Sequence, residues 1–139
     1  MKKTARLLFV DDDVDLLAAM KLGLRKSPFE VFTAASADEA AAVLRTEAID
    51  VVVSDERMPE VAGSRFLGLV RRNFPNTVRI ALTGQASLEA VKRAVNEGGI
   101  SRLLTKPCGA AEGAAAIDEC LVVRRLAVNA ILRPRVDAP

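Results

Sequence analysis

Four groups of residues, Asp11-Asp12-Asp13, Asp55, Thr83-Gly84 and Lys106-Pro107, each follow directly on a short apolar run. If those runs are neighbouring strands, their ends bring several carboxylates, a hydroxyl and an ammonium to one rim. Carboxylates held close together repel, which raises at least one pKa unless a cation joins them. Mg²⁺ suits such a set, because it takes one to three protein oxygens, keeps several waters and leaves room for a phosphate oxygen. Aspartate is also a competent covalent acceptor of phosphate. Phosphoryl transfer asks for an in-line nucleophile and neutralised oxygens, and little other covalent work from the protein. On this reading Asp55 is the nucleophile, and Asp11 and Asp12 hold the metal. Thr83 donates to a phosphoryl oxygen, Gly84 leaves space for it, and Lys106 supplies a fixed positive charge. Each group has a plainer alternative: Asp11 to Asp15 capping a helix, a threonine that merely ends a strand, a solvated lysine. Their co-occurrence at successive strand ends favours a site.

The composition narrows the remaining chemistry. The chain has no histidine, which removes the usual serine and cysteine triads, His-ligated zinc and any phosphohistidine role. Its 139 residues, half of them apolar, suit one compact domain. A net charge of +2 with scattered basic residues does not point to direct nucleic-acid binding. No apolar run approaches the roughly 20 residues of a membrane span, and the Met1 to Thr4 start leads into a run too short for a secretory signal. The expectation is a cytoplasmic protein without membrane attachment, with Cys108 and Cys120 reduced and used for packing.

Five strand-like runs alternate with five segments of helical period, the signature of an α/β domain with a parallel sheet. Strands are expected at Arg6 to Val10, Glu30 to Thr33, Asp50 to Ser54, Val78 to Leu82 and Ser101 to Leu104. Three of them are continuously apolar, as strands covered on both faces should be. Helices are expected at Val14 to Lys26, with Leu17, Met20 and Leu24 on one stripe, at Ala37 to Arg45 entered from Ser36, and at Ser64 to Asn73. A fourth spans Ser87 to Glu97 and exits at Gly98-Gly99, and a fifth begins near Ala110 and continues toward Leu132 before Pro134. Ligands of such sheets gather at the carboxyl ends of the strands, where the four groups lie.

Leu8-Phe9-Val10-Asp11-Asp12-Asp13, Val51-Val52-Val53-Ser54-Asp55-Glu56-Arg57-Met58-Pro59, Ala81-Leu82-Thr83-Gly84 and Leu104-Thr105-Lys106-Pro107 together resemble the motif set of response-regulator receiver domains. The resemblance covers about residues 5 to 125. It implies a doubly wound, flavodoxin-like, five-stranded parallel sheet in the order 2-1-3-4-5, with five helices. It also implies that Asp55 takes phosphate from a sensor histidine kinase or a histidine phosphotransfer protein. Mg²⁺ would then be bound by Asp11, Asp12, Asp55 and the backbone carbonyl of Arg57, and the phosphoryl group contacted by Thr83 and Lys106. The Lys106-Pro107 bond would be cis. Residues 1 to 126 would form the receiver domain and 127 to 139 a helical extension and tail.

Several positions depart from that pattern. Ala62 stands where an aspartate is common, which should change loop stability more than chemistry. Leu103 stands where an aromatic residue usually turns inward, leaving the signal to travel through Thr83, the fourth helix and a smaller apolar side chain. Arg57 and Gln85 occupy positions that in this family influence how water reaches the acyl phosphate, and they should tune its lifetime. The stretch Asn96 to Cys108 resembles receivers of hybrid kinases or those ahead of cyclic-dinucleotide phosphodiesterase domains. In the last helix, Ile117, Leu121, Val128 and Leu132 form a stripe that begins on the sheet and runs past it, among Arg124, Arg125, Arg133 and Arg135. That end suits a frayed helix, a homodimer contact or a link to an output domain, through the fourth helix, fifth strand and fifth helix. Two other classes fit parts of the pattern: a phosphatase of the haloacid dehalogenase type, disfavoured by Arg57 where a second acid belongs, and a receiver-like binding module without phosphorylation.

Overall fold

The computed structural model describes residues 5–84 and 87–132. Five parallel strands, β1 (Ala5–Val10), β2 (Phe29–Ala34), β3 (Val51–Asp55), β4 (Val78–Thr83) and β5 (Arg102–Thr105), lie in the order β2-β1-β3-β4-β5. Helices α1 (Val14–Gly23), α2 (Ala37–Thr46), α3 (Gly63–Asn73), α4 (Leu88–Arg93) and α5 (Ala110–Leu132) connect and follow them. The register sets Leu7 beside Val51, Val51 beside Val78, and Ile80 beside Arg102, so β1, β3 and β4 end together.

Successive side chains of a strand face opposite sides, and here both sides are covered. Leu7, Phe9, Val51, Val53, Ile80 and Leu82 pack with Leu17, Met20, Ile117 and Leu121 on one face. Leu8, Val10, Val52 and Ala81 pack with Ala40, Leu44, Phe66, Leu67 and Val70 on the other. The continuous apolar runs are thus two interleaved half-cores, and the expected strands agree with the observed ones to within a residue at each end.

Helix starts follow local capping. Asp13 Oδ1 accepts from the N–H groups of Asp15 and Leu16 at 3.1 and 3.2 Å, opening α1. Ser36 and Ser87 open α2 and α4 in the same way, accepting from Glu39 and Ala90, each at 3.2 Å.

Two helix ends differ from expectation. α1 stops at Gly23 rather than Lys26. There the chain tightens, with Arg25 N–H donating to Leu22 O at 3.3 Å and Ser27 N–H to Leu24 O at 3.0 Å. A Cβ on Gly23 would lie 2.5 Å from that of Ala110, so the start of α5 crowds the place where α1 ends. The fourth helix is α only to Arg93, and Ala94–Gly98 forms a wider π turn closed by Gly99 at φ 58°. There the Glu97 carbonyl lies against Gly68 of α3, where a Cβ would come within 2.6 Å of it.

α5 packs on the sheet through Ile117 and Leu121 and then continues with Val122, Val123, Leu126, Val128 and Ile131 exposed. Arg124 marks the departure, donating to Asp50 O, Asp50 Oδ1 and Asn76 O at 3.2–3.3 Å. The side chain of Leu132 and the expected Pro134, Arg133 and Arg135 features lie outside the described residues. Ile117 is fully buried where α5 meets the sheet, so Ile117→Ala should lower unfolding free energy by about 2–5 kcal/mol in urea titration.

Candidate functional site

The rim formed by the ends of β1, β3, β4 and β5 assembles the residues singled out in the sequence. Asp11, Asp55 and Thr83 are buried there, Asp12 is exposed, and Lys106 is partly covered. The acids after β1 divide their work. Asp13 is the cap of α1, whereas Asp11 turns inward, accepting from Asp13 N–H through Oδ1 at 2.9 Å. Asp11, Asp12 and Asp55 can each offer one carboxylate oxygen, all within 4.8 Å of one another.

Lys106 bridges this cluster. Its Nζ lies 2.9 Å from Asp11 Oδ2 and 3.4 Å from Asp55 Oδ2. Its position is fixed from the backbone, where Lys106 N–H donates to Thr83 O at 2.8 Å; the bond to Pro107 is cis. The Asp11 contact is an ion pair without the alignment of a hydrogen bond, so buried Oδ2 has no hydrogen-bond partner among the described residues. A buried carboxylate oxygen with lone pairs to offer, beside two further carboxylates, fits a hard divalent cation.

The electrostatics agree. Burial raises the Asp55 pKa, and the charge of Asp11 raises it further, while Lys106 and the backbone N–H of Arg57 pull it down without cancelling the rise. For Lys106, burial alone would lower the pKa, but the close contact with Asp11 and the charges of Asp55 and Asp11 outweigh it and the net shift is upward. One ammonium thus serves more negative charge than it can neutralise.

The loop after β3 shows why two glycine and serine positions matter. A Cβ on Gly63 would stand 2.0 Å from the Asp55 carbonyl oxygen. Ala62, at the N-cap of α3, provides no side-chain bond, and the Glu56 carboxylate accepts instead from Ser64 N–H and Oγ at 2.9 and 3.0 Å. Neither Glu56 nor Ser64 stands out in the sequence, where an acid after Asp55 reads as a solvated loop residue. The available signal is a missing cap at Ala62 with an acid a few residues upstream. Arg57 has an exposed side chain, and Gln85 lies outside the described residues. Leu103 is partly buried against the half-core of α2 and α3, as an ordinary packing residue.

A folded pKa above the unfolded one favours folding at low pH, and that contribution disappears as pH rises through the folded value. Ionised Asp55 therefore opposes folding at neutral pH. In metal-free buffer Asp55→Asn should raise Tm at pH 7, with the gain shrinking as pH falls toward the ordinary carboxylate value of 3.8. A pH series of thermal melts checks this. Gly63→Ala should cost about 3 kcal/mol, the upper end for overpacking against backbone, measured by urea unfolding.

Comparison with known proteins gives the same answer as the geometry. The sequence profile of the response regulator receiver domain matches residues 7–118. The hydrogenase transcriptional regulatory protein HoxA of Cupriavidus necator is 39% identical over 105 residues, covering 76% of this chain and 22% of HoxA. The chain thus spans about a fifth of the length of that relative. A CheY-like response regulator receiver domain protein from Methanospirillum hungatei superimposes with a TM-score of 0.82 at 30% identity, covering 90% of this chain and 98% of that one. The signal receiver domain of an HD domain-containing protein from Pseudomonas fluorescens gives 0.82 at 29% identity, with the same coverage. With its strand order, its acidic rim and this likeness, the chain belongs to the response regulator receiver domains, the phosphoacceptor signalling switches of two-component systems.

Proposed function

We propose that Asp55 is the phosphoacceptor, that Mg²⁺ is the cation of the acidic rim, and that Thr83 and Lys106 receive the phosphoryl oxygens. The observation that carries this reading is the Lys106 ammonium lying between Asp11 and Asp55, with three carboxylates inside one cation's reach. Asp11, Asp12, Asp55 and the backbone carbonyl of Arg57 would hold the metal. When bound, Mg²⁺ supplies the positive charge that allows a carboxylate and a phosphoryl group to approach.

The residues of the chain do the rest. An Asp55 carboxylate oxygen forms the new bond to phosphorus in line with the bond that breaks, and the leaving group departs with that electron pair. With acetyl phosphate the leaving group is acetate, and with a phosphohistidine donor it is imidazole. Lys106 exchanges part of its hold on Asp55 for a phosphoryl oxygen, and Thr83, at the end of β4, donates its hydroxyl to another. Burial of Asp55 limits the approach of water to the acyl phosphate.

The natural donor is a sensor histidine kinase or a histidine phosphotransfer protein in the cytoplasm, and the reaction ends with the chain's own phosphorylation and dephosphorylation. No helix of the described residues is long and apolar enough to cross a membrane. The output passes through α4, β5 and α5 to a second copy or a downstream domain, supported by the exposed Val123, Leu126 and Ile131. Residues 1–126 act as the receiver unit and 127–139 as its extension, without direct contact to nucleic acid.

Incubation with acetyl phosphate and Mg²⁺ should add one phosphoryl mass in intact-protein spectra, and chelation should prevent it. Asp55→Asn should abolish the adduct. Lys106→Ala should slow its formation by about 10²-fold, the usual effect of removing one charge-stabilising donor.

A further inference from the structure

Glu56 follows Asp55 directly and ties three elements together. Its N–H donates to Leu82 O at 3.2 Å, one residue before Thr83, and its carbonyl accepts from Gly63 N–H at 3.0 Å. Its carboxylate holds Ser64 N–H at 2.9 Å and the Ser64 hydroxyl at 3.0 Å. Ser64 is only 1% exposed and Glu56 is half-buried, so these bonds are partly shielded from water. An ordinary cap would come from position 62 and stabilise the helix alone. Here the anionic cap at the positive end of α3 arrives from the residue beside the phosphoacceptor.

The consequence is mechanical. The start of α3 is fastened to the 56–57 peptide by the Gly63 backbone bond and to the Glu56 side chain by the carboxylate, and the close approach at Gly63 leaves the adjoining 55–56 peptide no slack. We propose that Glu56 is a positioning residue for the Asp55 site. By clamping α3 onto the end of β3, it sets the Asp55 backbone and the Arg57 carbonyl that follows in the arrangement needed to take up the cation and the phosphoryl group. This inference rests on the reading of Asp55 given above. Glu56 itself touches neither ligand and acts through the backbone.

The test uses the full chain with Mn²⁺ in place of Mg²⁺, measuring Mn²⁺ affinity by calorimetry, Tm, and the rate of phosphorylation by acetyl phosphate. Glu56→Ala should weaken Mn²⁺ binding by about tenfold, the lower end for loss of a supporting residue, slow phosphorylation comparably and lower Tm. Adding Ala62→Asp gives α3 a local cap, so the double variant should recover Tm while its Mn²⁺ affinity and rate stay low. Glu56→Gln, which keeps an acceptor for Ser64, should recover most of both. If Glu56→Ala binds Mn²⁺ and phosphate as the parent does, or if Ala62→Asp restores affinity and rate together with Tm, Glu56 is only a helix cap and the proposal fails. Should Glu56→Ala not fold, the double variant carries the same comparison. Failure of the parent chain to bind Mn²⁺ or accept phosphate would appear in the parent arm alone; it overturns the reading of Asp55, and the inference falls with it.

Discussion

One ammonium facing more carboxylate charge than it can neutralise is the constraint on which the rest of this structure depends. Asp11 and Asp55 are withdrawn from water, Asp12 is close by, and Lys106 is the cation that meets the two buried acids. Repulsion of this kind is tolerated only if every partner is held, because buried charge left unpaired is expensive. The scaffold supplies the hold. Asp11 and Asp55 sit at the ends of strands covered on both faces, Asp11 is tied to the N–H of Asp13, and Lys106 is tied to Thr83 O. What the scaffold does not supply is the last positive charge, which a divalent cation in the acidic cluster could provide. On the proposed reading, the same incompleteness would keep Asp55 available as a nucleophile rather than locked in a finished salt bridge.

The parallel sheet makes that arrangement economical. All its strands end on one side, so residues far apart in sequence reach one rim without long loops. The register binds them further, with Thr83 beside Thr105 and Asp55 beside Leu82, so motion at one strand end is felt at the next. Leu103 serves as a packing residue, so on the proposed reading a rearrangement on phosphorylation would pass through Thr83, the fourth helix and a smaller apolar side chain. α5 is anchored through Arg124 at the opposite end of the sheet, and its exposed apolar residues begin around that anchor.

Much of this was legible in the sequence because the determining forces are local or periodic. Strands buried on both faces must be apolar throughout, so Leu7 to Val10 and Val51 to Val53 declare themselves. Asp13, Ser36 and Ser87 cap helices whose starts were expected within a residue or so. The illegible parts depend on contacts between elements. α1 ends at Gly23, where a side chain would meet Ala110, and the π turn forms where the Glu97 carbonyl meets Gly68. Ala62 was visible as a missing cap, but its replacement by Glu56 was not, since an acid a few residues upstream is too weak a signal that two residues eight positions apart will meet. The acidic run was only half resolved: its types suggested both capping and metal binding, and the structure assigns capping to Asp13 and the acidic pocket to Asp11 and Asp12.

The claim at the centre of this account is that the under-compensated carboxylate at the end of β3 is the one that becomes an acyl phosphate. Borohydride reduces an aspartyl phosphate to homoserine, which marks the acceptor permanently. After phosphorylation and reduction, peptide sequencing by mass spectrometry should find homoserine at position 55 and unmodified aspartate at positions 11, 12 and 13. Homoserine at any of those three positions, with position 55 intact, would contradict the account.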